Sequence, residues 1–373
     1  MKHLAEENIA EKKIGLRVDL NVPIKNGEIL NDERLSAALP TIQFILERTN
    51  KLCIISHLGR PEEGKFDKNY SLDPIKKWLE DKLEVSIPLI KNFTEVPDSL
   101  SIMENIRFFK GEKSNDQELT SIISESFDVY VMDAFATAHR SSSSTYGAII
   151  KSKKACSGLL FSKEIKNLDA ALVSSKNALS VVGGSKVSTK LKVIQNLLTR
   201  SSKVLVGGGI ANTFLKAAGK NIGSSLVEDD MLSVSQKLLA TNKIILPTHV
   251  YVADSPEANS AQLVSVDNVA ADKMILDIEL SNEISSIGNI DYVLWNGPLG
   301  VFEIDLFSNG TQQLISYLEE TSAKVIAGGG ETIFAISKFS HKNKFHYVST
   351  AGGAFLEYLS GHKLPSVEAL RLK

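Results

Sequence analysis

Five times after residue 180, a short apolar run ends in glycine and passes into a segment of helical period. These junctions are VVGGSK (181 to 186), VLVGGGIAN (204 to 212), VLWNGPLG (293 to 300), VIAGGGET (325 to 332) and YVSTAGGA (347 to 354). A repeated strand–glycine–helix junction restricts a chain to α/β architectures, because parallel strands need helical crossovers and each crossover starts at a turn. The first half shows the same alternation. Strands are expected at 14 to 20, 51 to 56, 102 to 108 and 128 to 133, with helices over 32 to 48 and 72 to 83. Later strands are expected at 178 to 183, 203 to 206, 243 to 246, 292 to 295, 323 to 327 and 346 to 349. The segment 160 to 177, FSKEIKNLDAALVSSKNA, is expected to be a helix joining two halves.

A length of 373 residues favours two domains, each able to bury its own core without a disulfide or structural metal. The 42 basic and 44 acidic residues leave no excess charge to draw nucleic acid or a membrane, so any anion site has to be local. Cys53 and Cys156 have no neighbouring cysteine, which fits a reducing compartment. The opening MKHLAEENIAEKKIG is too charged for a signal peptide, and no apolar run approaches the roughly 20 residues that span a bilayer. A cytoplasmic protein is expected.

Glycine and arginine divide the chain. Seventeen of 24 glycines lie after position 180, whereas six of eight arginines lie before 141. Glycine at the carboxyl end of a parallel strand lets a ligand approach the backbone, and the following helix start favours phosphate. Neither GxxxxGK[ST] nor GxGxxG occurs, which argues against a P-loop or an ordinary dinucleotide site. Lys186 and Lys190 in GGSKVSTK lie four apart at an expected helix start and would share a face. In the first half, Arg34, Arg60 (SHLGRP), Arg107 (ENIRF) and Arg140 (DAFATAHR) fall at strand ends and loops, where guanidinium forks could converge on a small polyanion. His57 and His139 would add donors, and Asp19 and Asn21 in RVDLNVP could accept from a substrate hydroxyl. Two other readings stay open at this level. A nicotinamide-dependent dehydrogenase is weakened by the missing fingerprint, and a non-catalytic metabolite-binding protein would share the fold without the chemistry.

RVDLNVP, SHLGRP, ENIRF, DAFATAHR, GGSKVSTK, GGGIANTF, WNGPLGVFE, GGGET and the closing LE-G-KLP run together resemble, in the same order, the segments of the phosphoglycerate kinase family, essentially end to end. The resemblance implies an α/β fold of two Rossmann-like three-layer domains with mostly parallel sheets, joined by a helix and hinge. Residues 1 to 165 would bind 3-phosphoglycerate, with 355 to 373 packing back on them, and 166 to 354 would bind Mg-ATP or Mg-ADP. It implies reversible phosphoryl transfer from 1,3-bisphosphoglycerate to ADP in glycolysis, with hinge closure, by a protein expected to be monomeric and to bind no nucleic acid. Asp19, Asn21, Arg34, His57, Arg60, Arg107 and Arg140 match the family's phosphoglycerate-binding positions. Lys186 and Lys190 match lysines near the migrating phosphoryl group, so Arg34, Lys186 and Lys190 are its catalytic candidates. Gly183, Gly184, Gly207 and Gly208 match turns on the adenine side, Asn296 lies by the phosphates, and Glu303 matches a ribose contact. Gly329, Gly330 and Thr332 match the phosphate and metal turn, and Thr350, Gly352 and Gly353 the last phosphate-stabilising helix start.

The chain departs from the family pattern at several places. GGGD reads GGGE, placing Glu331 where a metal-binding aspartate is usual. Ala351 replaces a glycine and must avoid positive φ, Ala136 replaces another glycine, and Ser142 stands where many members have histidine. DIGP reads DIEL at 277 to 280, interpreted as a changed helix start.

Overall fold

The computed structural model describes residues 1–173 and 177–373, which divide into two compact units, Met1–Lys166 with Lys363–Lys373, and Asn167–His362. Among these residues no helix is long and apolar enough to cross a membrane.

The first unit contains β1 (Ile14–Arg17), β2 (Ile24–Lys25), β3 (Glu28–Ile29), β4 (Leu52–Ile55), β5 (Leu89–Ile90), β6 (Ser101–Met103), β7 (Val129–Met132) and β8 (Ala155–Ser157). Its helices are α1 (Glu33–Leu46), α2 (Asp73–Leu83), α3 (Gln117–Glu125), α4 (Ala148–Lys151) and α5 (Leu159–Val173), the last running across the division between units. Six strands form one parallel sheet in the order β5-β6-β4-β1-β7-β8. β1, β4 and β7 are buried at every position; β4 and β7 therefore read as unbroken apolar runs rather than alternating ones, and β1 does so up to Arg17. Register is tight at the centre, with Ile14 opposite both Leu52 and Val129. The chain leaves β1 toward β4 on one side and meets β7 on the other, so β1 marks the point where open α/β sheets place ligands beyond the strand ends. Helix starts are chemically specified: the Asp116 carboxylate accepts from the amides of Glu118 and Leu119 to begin α3, and Pro74 occupies the first turn of α2.

The second unit contains β9 (Ala178–Val182), β10 (Lys203–Val206), β11 (Ile244–Ile245), β12 (His249–Ala253), β13 (Gln262–Ser265), β14 (Met274–Glu279), β15 (Tyr292–Asn296), β16 (Lys324–Gly328) and β17 (Tyr347–Ser349). Its helices are α6 (Val187–Arg200), α7 (Gly208–Ala217), α8 (Leu232–Leu239), α9 (Ser281–Ser285), α10 (Asn309–Glu320), α11 (Gly330–Phe339) and α12 (Gly353–Leu359). The parallel sheet runs β11-β10-β9-β15-β16-β17, and a separate antiparallel sheet runs β13-β12-β14. β9 is the switch strand here, flanked by β10 and β15, so the GGSK, VGGG and WNGP turns meet at one sheet end. The final helix, α13 (Pro365–Arg371), belongs to the first unit. There Ser366 donates through its amide to Ala138 O at 3.1 Å and through its hydroxyl to Thr145 O at 2.7 Å.

Four expectations are corrected. The strand expected at 14 to 20 ends at Arg17, and the one expected at 102 to 108 ends at Met103. Past Met103, the Asn105 side chain accepts from Arg107 N at 3.1 Å and starts the 3-10 turn Ile106–Phe108, so Arg107 sits on a turn. The DIEL segment is not a helix start: Asp277–Glu279 close strand β14, and α9 begins only at Ser281. The antiparallel sheet is not anticipated at all, although β12 carries a period-of-two signal, with Val250 and Val252 buried between part-exposed His249 and Tyr251. Of the expected joining helix, α5 accounts for residues through Val173, and 174 to 176 lie outside the described residues.

Candidate functional site

In the first unit the carboxyl ends of β1, β4 and β7 bring cationic side chains together. Arg34, in the first turn of α1, donates to Asp19 Oδ2 at 2.8 Å and to Asn21 O at 3.2 Å. Asp19 is the more buried member of that pair, so it aligns Arg34 more than it neutralises the site. The carboxamide oxygen of Asn21 accepts from Gly59 N at 2.8 Å, so the acceptor expected to meet a substrate hydroxyl already holds the SHLGRP turn. Arg107 is buried and donates to Gly59 O, while Asn105 Nδ2 donates to Leu58 O at 2.7 Å, fastening the same turn from its other side. Arg60 and Arg140 reach solvent, and His139 is partly buried.

Arg17 is the residue that the sequence reading missed. It is 2% exposed, donates from Nε to Ser144 Oγ at 3.0 Å and from Nη1 to Val18 O, and brings Nη2 within 3.3 Å of His57 Nδ1. An arginine inside an otherwise apolar buried strand was the available signal, since a cation there must open onto a polar pocket. A donor at Nδ1 makes that atom an acceptor and puts the proton of the neutral ring on Nε2. Burial first, then Arg17, Arg107, Arg140 and Arg34, hold the His57 imidazole well below its ordinary pKa. Arg107 is pushed down to about 10 by burial and then by Arg140 and Arg17, and Arg140 is lowered by burial and then by Arg60 and Arg17. Guanidinium groups that mutually disfavour their own charge would be relieved by a bound polyanion. Glu112 is the buried counter-charge beneath them: it accepts from Ser142 Oγ at 2.7 Å and Ser144 N at 3.0 Å, and burial raises its pKa despite Arg17. Arg17, Arg107, Arg140, Glu112 and Ser142 line a cavity of about 160 Å³.

In the second unit a pocket of about 240 Å³ is lined by Gly184, Lys190, Asn296, Gly329, Gly330, Glu331 and Thr332, among others. The two lysines differ more than their spacing implied. Lys186 precedes α6 as its cap residue with extended backbone and is exposed, near Glu228. Lys190 is drawn inward, donating from Nζ to Gly183 O at 2.6 Å and Asn296 O at 3.3 Å, and burial lowers its pKa to about 8 against the opposing pull of Glu331.

The glycines serve two purposes. A Cβ on Gly183 would stand 1.8 Å from Pro298 O, one on Gly208 2.7 Å from Gly184 O, and one on Gly207 2.4 Å from Leu299 Cδ2, so these turns need glycine to pack against each other. Around Gly330 and Gly352, by contrast, nothing lies within 4 Å of an added Cβ. Ala351 is accommodated because positive φ falls on its neighbour Gly352, at +53°, and Ala136 sits in the 3-10 turn Phe135–Thr137 without positive φ.

The amides of three of the helices that start at this sheet end are satisfied differently. At α6 the Glu228 carboxylate accepts from Ser188 N at 2.9 Å and from Ser188 Oγ. At α7 Gly208 N donates to Leu299 O at 2.7 Å and Ile210 N to Gly184 O at 3.1 Å. α11 has no side-chain cap; Gly329 enters it at φ +103°, and the hydroxyl of Thr332 turns away to accept from Gly297 N at 2.8 Å. Asn296, 2% exposed, donates to Gly328 O at 2.7 Å, and its Oδ1 has no partner among the described residues. Of these three starts, α11 is the one without such a partner, and uncapped helix amides are suited to phosphate. Thr350 and Gly353 flank the start of the seven-residue α12, and Glu303 is exposed on the loop after β15, outside the pocket's lining.

No group of three or more His, Cys, Asp or Glu residues that could hold a metal occurs among the described residues. One carboxylate at the open helix start, Glu331, fits a Mg²⁺ that arrives with a nucleotide and keeps phosphate and water ligands, which is how this ion is commonly held.

A family model described as phosphoglycerate kinase matches residues 4–362. A protein of Francisella philomiragia named phosphoglycerate kinase is 45% identical over 99% of this chain and 98% of its own length. One of Coxiella burnetii with the same name is 44% identical over 97% of this chain and 96% of its own. The solved structure of phosphoglycerate kinase from Coxiella burnetii superposes with a TM-score of 0.95 at 43% identity, covering 99% of this chain and 98% of the other. The crystal structure of the Pyrococcus horikoshii enzyme gives 0.82 at 29% identity, covering 100% and 99%.

Proposed function

This chain belongs to the phosphoglycerate kinase family and is a phosphotransferase of glycolysis, and on that premise we propose which of its residues carry out the transfer between 1,3-bisphosphoglycerate and ADP. The arginine floor of the first unit holds phosphoglycerate through Arg60, Arg107 and Arg140, with Asp19 and Asn21 shaping the site and neutral His57 offering its Nε2 proton. The second unit holds the nucleotide. Lys190, Asn296 and the amides opening α11 take the phosphates, Gly183, Gly184, Gly207 and Gly208 form the floor toward adenine, and Glu303 reaches the ribose. Gly352, Gly353 and Thr350 add a second helix start. Glu331 would hold a Mg²⁺ carried by the nucleotide, which would supply charge neutralisation on the phosphates. The reading includes a monomeric, cytoplasmic protein with small-molecule partners.

The carboxylate of 3-phosphoglycerate is already anionic, so transfer needs no general base; it needs alignment, charge stabilisation and exclusion of water. Arg34, Lys186 and Lys190 serve the equatorial oxygens of the migrating group. Because the arginines and Lys190 belong to different units, we take hinge closure on both ligands as part of the reaction. The single observation that carries this reading is the contrast among helix starts, with α6 and α7 internally satisfied and α11 open beside Lys190 and the unpartnered Asn296 Oδ1. Calorimetric titration of Mg-ADP and of 3-phosphoglycerate tests it. Lys190→Ala is expected to weaken only the nucleotide and Arg107→Ala only the phosphoglycerate, whereas loss of the opposite ligand in either variant would reject the assignment.

A further inference from the structure

The DIEL segment left a residue without a role. Asp277 lies in β14 at 1% exposure, in the unit that holds the nucleotide pocket but outside the pocket's lining. Its Oδ2 accepts from Gly310 N at 3.0 Å, at the start of α10. Ser308 is the cap residue of that helix, but its hydroxyl donates to Asp305 O at 2.8 Å, so Asp277 caps α10 from a separate sheet. Its Oδ1 has no hydrogen-bond partner among the described residues and presses against the loop that follows β15. A Cβ on Gly300 would stand 2.1 Å from that oxygen, and one on Gly310 2.9 Å. Only glycines fit around this carboxylate, and a buried acceptor left half unmatched calls for a structural or functional reason.

The braced loop is the hub of the pocket. Asn296 O accepts from Gly183 N at 3.0 Å and from Lys190 Nζ, Gly297 N donates to Thr332 Oγ1, and Leu299 O accepts from Gly208 N at 2.7 Å. From behind, Leu299 N donates to Thr311 Oγ1 at 3.1 Å and Val301 N to Leu276 O at 2.9 Å, so α10 and β14 both grip the strip that Asp277 supports. We propose that Asp277 is a positioning residue for nucleotide binding, wedging the loop Gly297–Gly300 against the start of α10 and so fixing Asn296 and Gly297 in the pocket.

The inference rests on the nucleotide reading of that pocket, and calorimetry on the full chain separates the two. Asp277→Ala is expected to weaken Mg-ADP binding about 10-fold by removing a buried hydrogen bond and letting the loop relax. Affinity for 3-phosphoglycerate should stay at the wild-type value. Asp277→Asn, whose carboxamide oxygen can still accept from Gly310 N, should hold ADP affinity within about 2-fold. If Asp277→Ala does not fold, Asp277→Ser carries the same expectation, because its side chain is too short to meet both Gly310 and Gly300. Wild-type ADP affinity in the Ala or Ser variant, or equal weakening of both ligands, would overturn the positioning role while leaving the pocket assignment standing. Unchanged ADP affinity in Lys190→Ala would overturn the pocket reading and the proposal with it.

Discussion

Lys190 Nζ donates to the carbonyl oxygen of Gly183 at 2.6 Å, so the side chain that faces the expected phosphates is anchored by the strand end that makes the first glycine turn. Burial lowers its pKa to about 8 in the free protein. The folded pKa is below the usual value, so the folded chain binds fewer protons than the unfolded one between about pH 8 and 10.5. Desolvation of this ammonium thus opposes folding below about pH 8 and is relieved as pH rises. Binding runs the other way. Between pH 7 and 9.5 the ammonium is lost, and Mg-ADP affinity is expected to fall about 10-fold with the loss of one charge-assisted contact. Calorimetry across that range in wild type and Lys190→Met checks this: the slope should vanish in the variant.

Arg34 is held by Asp19, and its side chain is only a third exposed, a geometry suited to a preorganised charge. Arg34→Ala should reduce kcat by about 100-fold or more, the scale for losing one preorganised donor, with little change in nucleotide affinity. Steady-state kinetics with both substrates varied would detect the split. Near-normal kcat would remove Arg34 from the migrating group.

His57 should stay neutral in the folded protein throughout the range in which an ordinary histidine titrates. The unfolded chain takes up that proton below about pH 6.5 while the folded chain does not, so this group's contribution to stability declines as pH falls through that value. NMR of the ring protons between pH 5.5 and 8 should show no titration for His57; a midpoint near 6.5 would contradict the arginine-crowded environment.

The sequence announced what buried parallel strands announce. Leu52–Ile55 and Val129–Met132 are apolar at every position because both faces are covered, and the glycine junctions mark where they end. It was silent where elements are too short for a period, as in Leu89–Ile90 and Ala155–Ser157, and where strands lie half exposed, as in Gln262–Ser265. Among site residues, arginines on turns stood out. Arg17 was passed over although its interruption of an apolar strand was a signal, because only the fold shows that strand ending under His57. The glycine pattern was ambiguous in a physical way: Gly183 and Gly208 accommodate neighbouring backbone, Gly330 open space, and one residue type encodes both.

Glu331 stands in the first turn of α11, where a carboxylate is stabilised by the helix dipole whether or not it meets a metal. If it meets the Mg²⁺ carried by the nucleotide, Glu331→Gln should raise the Mg²⁺ concentration for half-maximal rate, and Glu331→Asp should keep or improve activity. Mg²⁺ titrations at saturating nucleotide and phosphoglycerate distinguish the roles, since identical metal dependence in wild type and Glu331→Gln would leave only the helix-terminus one.

The most direct measurement is a coupled assay in which the protein receives 3-phosphoglycerate and Mg-ATP and a dehydrogenase consumes the acyl phosphate formed. Turnover should require both substrates and drop at least about 100-fold in Arg34→Ala and in Lys190→Ala, each of which removes one cation proposed to stabilise the transferring group. Absence of turnover by the intact chain, or full activity in either variant, would contradict the account.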